Sequence, residues 1–331
     1  MYVTFIPYLL GTILSVDNVE KWILGSEYML QLTKVTVIHT ETLTAEDLTA
    51  MVKCQPKISD GLICCIQNVT FLTTLKHENN TQSASLEKIN TEQIFEINFN
   101  KYGVQSLAME LNSDIGFNII KWVVEQFNVG INLKIKSEQN MTSDENVKAG
   151  LHINNSFTEI ENVWKNTKCN TSYLITYKSY TEIDFNTSEL ALNEIPYSKV
   201  QENDFQFIVL PISYIGLNLT NPINQIFSIV RHRETCINQP RYLKLRKEVW
   251  GIREVTTYFN KIEVKDKAFK FLSYTHLEGR LLKGHLKESP MFEERVYLKL
   301  IEIKPASNRL YMTNDTFVFQ FIDVYRNDSQ K

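Results

Sequence analysis

The densest run of charged chemistry in the chain lies between Arg231 and Lys287, where fourteen Lys and Arg residues fall. Acidic residues are fewer there, whereas positions 139–204 are acid-rich. A basic face of this kind suits phosphate, anionic lipid or an acidic protein module. Its tightest knot is Lys244, Arg246 and Lys247. Strand alternation would put Lys244 and Arg246 on one face and Leu243 and Leu245 on the other, a solvent-facing contact backed by core. The plainer reading is the solvated face of antiparallel strands. Tyr242, Trp250 and Tyr258 interleave the charges, but no nucleic-acid motif accompanies them and no nucleic-acid partner is expected.

Enzyme chemistry is not signalled. The sequence has no G-x-S-x-G elbow, H-E-x-x-H pair, P-loop or G-x-G-x-x-G turn. His276 and His285 stand nine residues apart, a spacing that fits neither a helical pair nor a compact metal site. The carboxylate pairs Glu293-Glu294 and Glu46-Asp47 sit in polar stretches and read as solvated. The expectation is a non-enzymatic protein without catalytic residues, cofactor or metal.

Compartment is read from three features. Phe5–Leu14 is a short apolar run followed by Ser15 and polar Asp17, Asn18 and Glu20, which reads as a signal peptide over 1–16 rather than a spanning helix. A buried N-terminal strand would look similar. Nine Asn-x-Ser/Thr sequons occur, at Asn68, Asn79, Asn140, Asn154, Asn170, Asn186, Asn218, Asn314 and Asn327, against roughly four expected by chance. Asn79 and Asn140 lie in the most loop-like surroundings. Of five cysteines, Cys54, Cys64 and Cys65 cluster while Cys169 and Cys236 stand apart; an oxidising compartment would favour two bridges and one leftover thiol. Cys54 could pair with Cys64 or Cys65, but not both, because neighbours on a strand face opposite ways. A secreted, extracellular glycoprotein is expected, not an integral membrane protein.

The elements that must carry these residues are mostly strands. Of 331 residues 43% are hydrophobic and 22% charged, with a formal net charge of −3, eleven Gly and eight Pro. That composition supports one large core or two ordinary ones, not bulk disorder. Period-2 alternation predicts strands over 28–38, 93–99, 103–109, 131–135, 171–180, 205–210, 254–264, 269–277, 296–303 and 316–325. Between Gly116 and Asn128 the rhythm changes: Ile119, Ile120, Val123, Val124 and Phe127 share one face of a helix, which Ser113 or Asp114 could cap. Polar stretches at about 77–91 and 137–155 read as loops. The fold class is therefore mainly β: a large antiparallel, barrel-like sheet with one amphipathic helix plugging or covering it, in one unit over 17–331.

The order of several short elements resembles the vitellogenin family of large lipid-transfer proteins. Trp22-Ile-Leu-Gly-Ser-Glu-Tyr28 resembles the family's W-x-x-G-x-x-Y opening, and Ile94–Phe99 with Tyr102–Leu107 its first hairpin. Asn118-Ile-Ile-Lys121 is similar to the start of its central helix, and Ile131–Ile135 to the strand that follows. Cys169-Asn-Thr-Ser-Tyr173, Cys236-Ile-Asn-Gln-Pro-Arg241 and Tyr297–Leu300 leading to Lys304-Pro305 resemble later elements of the same N-terminal module. Lys168 stands where the family usually has glycine before its cysteine. The resemblance implies an N-sheet β-barrel on its own, and a Cys169–Cys236 disulfide. It also implies a lipid-transport role exercised chiefly as a receptor- or partner-binding module, with a lipoprotein-receptor-type partner for Lys244, Arg246 and Lys247, and possible lipid contact. The alternatives are a carrier of one small apolar ligand, or a structural or nutrient-reservoir protein.

Overall fold

The computed structural model describes residues 26–40, 43–57, 61–76, 82–89, 92–100, 103–110, 114–129, 152–162, 168–180, 224–237, 242–246, 248–265, 270–282, 284, 288–312 and 316–320. In chain order the elements are β1 (Ser26–His39), β2 (Leu43–Lys57), β3 (Gly61–Lys76), β4 (Gln82–Ile89), β5 (Gln93–Asn100), β6 (Gly103–Met109) and α1 (Asp114–Phe127). There follow β7 (His152–Asn162), β8 (Lys168–Tyr180), β9 (Asn224–Ile237), β10 (Tyr242–Lys244), β11 (Val249–Lys265), β12 (Lys270–Leu281), β13 (Met291–Pro305) and β14 (Phe317–Gln320).

The strands form one antiparallel sheet in the order β14-β6-β5-β3-β2-β1-β13-β12-β11-β9-β8-β7, with β4 beside β3 and β10 beside β11. Among the described residues no ladder joins β7 to β14, so the sheet is barrel-like and open. β1 shows why these sequences become strands. Tyr28, Leu30 and Leu32 point into the core, Gln31 and Thr33 point away, and Leu32 pairs with Ala50 on one side and Leu298 on the other.

β3 serves two partners because of Asn68. Its first half pairs with β5 and its second half with β4, and the change occurs at Asn68, whose φ of 54° lies in the left-handed region. Asparagine tolerates that conformation better than most residues. The extra residue there shifts the β2–β3 register and bends the strand away from β5.

The helix packs against the inner face of the curved sheet. Ile119, Ile120, Val123 and Val124 are fully buried, and Phe127 lies between Phe99 of β5 and Phe271 of β12, at centroid distances of 6.4 and 5.4 Å. β5 and β12 are five strand spacings apart in the sheet, roughly 24 Å if it were flat. A helix only about 10–12 Å across can touch both because the sheet wraps around it. Phe117 meets Phe319 of β14 at 5.2 Å, and the Asn128 side chain accepts the Val104 backbone N–H at 3.3 Å, so the helix also fixes β6 and β14.

Two expectations change. Residues 77–91 were expected to be a loop, yet 82–89 form β4; its Ser83, Ala84, Ser85 and Leu86 are all exposed, so no apolar alternation marks it. Likewise 152–155, within the second expected loop, open β7. The strands expected at 131–135 and 205–210, and the 1–16 segment, lie outside the described residues.

Placing a charge on the helix's inner face strands it in apolar surroundings. Ile120→Asp or Val124→Asp is expected to cost more than about 4 kcal/mol and to abolish secretion. Secreted yield and thermal unfolding of the two variants check this; wild-type values for either would displace the helix from the core.

Candidate partner-binding surface

The Lys244 region is held as a short hairpin over one end of the sheet. Tyr242, Leu243 and Lys244 pair with Gly251, Trp250 and Val249 in turn, and the Leu245 N–H donates to the Glu248 carbonyl at 2.9 Å to close the turn. Leu243 and Leu245 are buried in a small second core with Ile38, Leu281 and Phe292. That burial forces Tyr242 and Lys244 outward, where both are exposed. Val249 lies opposite Lys244 on the same face.

Gly251 adds a third apolar side chain to that face. A Cβ at Gly251 would come within 2.4 Å of the Leu282 side chain, so the missing side chain is what lets Leu282 lie across the hairpin. The Leu282 N–H fastens it there by donating to the Gly251 carbonyl at 2.7 Å. Tyr242, Val249 and Leu282 are 68%, 62% and 55% exposed and adjoin one another, with Lys244 at their margin.

Arg246 behaves differently from Lys244. Its backbone N–H donates to Glu46 at 2.8 Å, and its guanidinium donates to Glu87 at 2.7 Å while lying 5.6 Å from the Phe71 ring. Burial pushes the Glu46 carboxyl up, against the opposing pull of the Arg246 N–H and the Lys34 and Arg246 charges. Arg246 thus ties the hairpin to β2, β3 and β4. The two basic residues do not form one free face, and Lys247 lies outside the described residues.

The broader basic face also resolves into separate pairs. Lys261 bridges Glu263 at 2.7 Å, Arg280 bridges Glu254 at 3.4 Å, and the Arg253 guanidinium donates to Ser289 at 3.4 Å. Arg231 and Arg233 turn inward, because β9 alternation places both on the face opposed to solvent. There Glu161 receives Arg231 at 2.8 Å, Arg233 at 2.7 and 2.8 Å, and the Thr171 hydroxyl at 3.0 Å. Arg231 also donates to Asn260, which reaches Thr275, which in turn hydrogen-bonds Gln126 of α1. The buried charges are thereby linked to the helix. Arg233 also lies 3.7 Å from the Tyr258 ring centroid.

Other sequence candidates are placed as follows. Cys169 is bonded to Cys236 and Cys54 to Cys64, each pair directly opposite in its ladder, while Cys65 is a buried free thiol. Asn68 is exposed at its bulge, and Asn170 is exposed with its amide on Glu234 at 3.1 Å. The Asn154 backbone lies in β7, and its side chain is outside the described residues, as are Asn79, Asn140, Asn186, Asn218, Asn314 and Asn327. His276, which its spacing from His285 left without an expected metal role, stands 3.2 Å from Glu278 and 3.0 Å from Glu293 on the outer face. Its i, i+2 relation to Glu278 was visible in the sequence; Glu293, on the next strand, was not. Lys34 is buried against Glu294 at 2.9 Å with its ammonium 4.5 Å from the Trp122 ring, a pairing that no local spacing announces.

The Glu161 cluster makes stability pH-dependent. Burial opposes ionisation of Glu161, but the Arg233 and Arg231 charges and the bonds from Arg233 and Thr171 outweigh it and bring its pKa from 4.5 down to about 2. A carboxyl depressed in the folded state stabilises fully above its unfolded pKa, and that contribution fades as pH falls toward about 2. Denaturant midpoints measured from pH 5 to pH 2 are expected to fall more steeply for wild type than for Glu161→Gln, with the variant weaker at neutral pH. Parallel curves would contradict this.

No family model matches the chain, and no curated protein does. Among solved structures, the fold is similar to that of lipovitellin, from a study of lipid–protein interactions in lipovitellin, with a TM-score of 0.47 and 10% identity. The match covers 87% of this chain and 26% of the lipovitellin chain.

Proposed function

We propose that this protein is an extracellular, non-enzymatic module of the lipid-transport type that acts by docking a protein partner rather than by enclosing bulk lipid. The observation that carries the reading is the patch of Tyr242, Val249 and Leu282 beside Lys244, mounted on a hairpin whose other face is core. Large apolar side chains held outward on a braced element are the usual ingredients of an interface centre, and a rim cation supplies orientation.

Three further features support it. The six ordered sequence elements resemble the N-terminal module of vitellogenins, whose family role includes receptor recognition. Two disulfides suit an oxidising compartment. α1 and its aromatic neighbours pack on the inner face of the described sheet, which favours recognition on the outside. No helix among the described residues is long and apolar enough to cross a membrane.

The proposed partner is an acidic, lipoprotein-receptor-type module. Lys244 would face its carboxylates while Tyr242, Val249 and Leu282 meet its apolar surface, and opposite charge would speed encounter. Lys244→Glu is expected to weaken capture of such modules about tenfold, equivalent to ~1.4 kcal/mol, with a flatter salt dependence. Its melting temperature should hold, because an exposed substitution costs less than about 0.5 kcal/mol. Tyr242→Ser should weaken capture at every salt concentration. Receptor-module pull-down at low and physiological salt checks both; capture equal to wild type for both variants would remove this surface from the function.

A further inference from the structure

We infer that the outer face of the β12–β13 ladder is a divalent-metal site suited to zinc, with His276, Glu278 and Glu293 as its ligands. The placement follows from register. Glu278 lies directly opposite Glu293, and His276 lies two residues before Glu278, opposite Arg295. The three side chains therefore rise from one face of two paired strands in the middle of the sheet, a rigid base for a site.

Three observations point to a cation. First, Glu278 and Glu293 form a directly opposed pair of like charges bordered by His276 and Arg295, an arrangement that draws positive charge to this spot. Second, His276 Nε2 is 3.2 Å from Glu278 and 3.0 Å from Glu293, and one ligand atom from each of the three residues lies within 4.8 Å of the others. Donor atoms around tetrahedral zinc, at bond lengths of about 2.0–2.2 Å, stand roughly 3.3–3.5 Å apart. The side chains need move only slightly to close on an ion. Third, Nε2 is shielded from water and faces both carboxylates, so an ion taking the place of a ring proton there would sit among all three donors.

The donor set selects the metal class. One imidazole with two carboxylates suits zinc and neighbouring late transition ions, whereas magnesium and calcium prefer oxygen alone. Tyr274 helps to fix the imidazole, stacking on it at a centroid distance of 6.4 Å and on Tyr297 at 4.6 Å. Three protein ligands leave a fourth position for water or for a group from a partner.

Arg295 is the antagonist built into the same face. Its guanidinium Nε donates to Glu293 Oε1 at 2.5 Å, the oxygen nearest His276, and its second nitrogen reaches the same atom. It holds Glu293 when no metal is present and competes with the ion for it. The site therefore makes a prediction that an ordinary surface ion-pair cluster does not: removing the arginine strengthens metal binding.

The test uses the full secreted chain, stripped with a chelator and titrated with zinc against a chromophoric competitor, with the fold of each variant followed by thermal unfolding. Wild type is expected to bind one zinc, His276→Gln and Glu278→Gln to bind about tenfold more weakly or worse, and Arg295→Ala to bind more tightly. X-ray absorption should show a nitrogen and oxygen shell without sulfur. Zinc affinity unchanged by His276→Gln, a sulfur ligand, no gain on removing Arg295, or tighter binding of calcium than of zinc would each overturn the assignment.

Discussion

The contact between α1 and the inner face of the sheet is the constraint from which the rest follows. A wide antiparallel sheet twists and curls, and its apolar face must be covered. Here the covering comes from within the curl. The helix, buried through Ile119, Ile120, Val123 and Val124, meets β5 and β6 on one side and β12 and β13 on the other, and Phe127 bridges Phe99 to Phe271. The curvature is set by the helix as much as by the strands. Removing that one element would leave β5 and β6 without a reason to approach β12 and β13.

Filling the interior with a helix introduces polar groups, which the sheet accommodates by pairing. Gln126 of α1 hydrogen-bonds Ser273 and Thr275, and the chain of bonds continues through Asn260 and Arg231 to Glu161 on β7. Lys34 is settled between Glu294 and the Trp122 ring, with a bond to Thr36. Such networks stabilise only when every member is satisfied, and loss of one partner leaves a buried charge alone. The second small core under the hairpin does the complementary task, fixing one end of the sheet while leaving Tyr242, Val249 and Leu282 outside.

What could be read from the sequence was what local periodicity encodes. The helix and strands such as β1, β6 and β13 carry their alternation openly. β2 was not legible, because its inward positions run Glu46, Leu48, Ala50, Val52 and Cys54, mixing charge and small residues with the apolar ones. β3 was hidden by a bulge that shifts its alternation at Asn68, and β4 by a run of four exposed residues, Ser83, Ala84, Ser85 and Leu86. Arg231 and Arg233 looked like surface cations because their carboxylate partner lies some seventy residues earlier, at Glu161. Arg246 looked free for the same reason, with Glu87 far away in sequence. The outer-face grouping of His276 and Glu278 with Glu293 depends on strand register, which a single sequence does not display.

Within the described residues the inner face of the sheet is covered by α1, while the outer face carries the exposed hairpin patch. On the proposed reading the inner face of the described sheet is committed to α1 rather than to lipid. Solvent extraction and mass spectrometry of the protein purified as secreted test it most directly. Less than one lipid molecule per chain is expected, with no enrichment over a mock purification. One or more lipid molecules recovered per chain, in constant ratio across preparations, would contradict it.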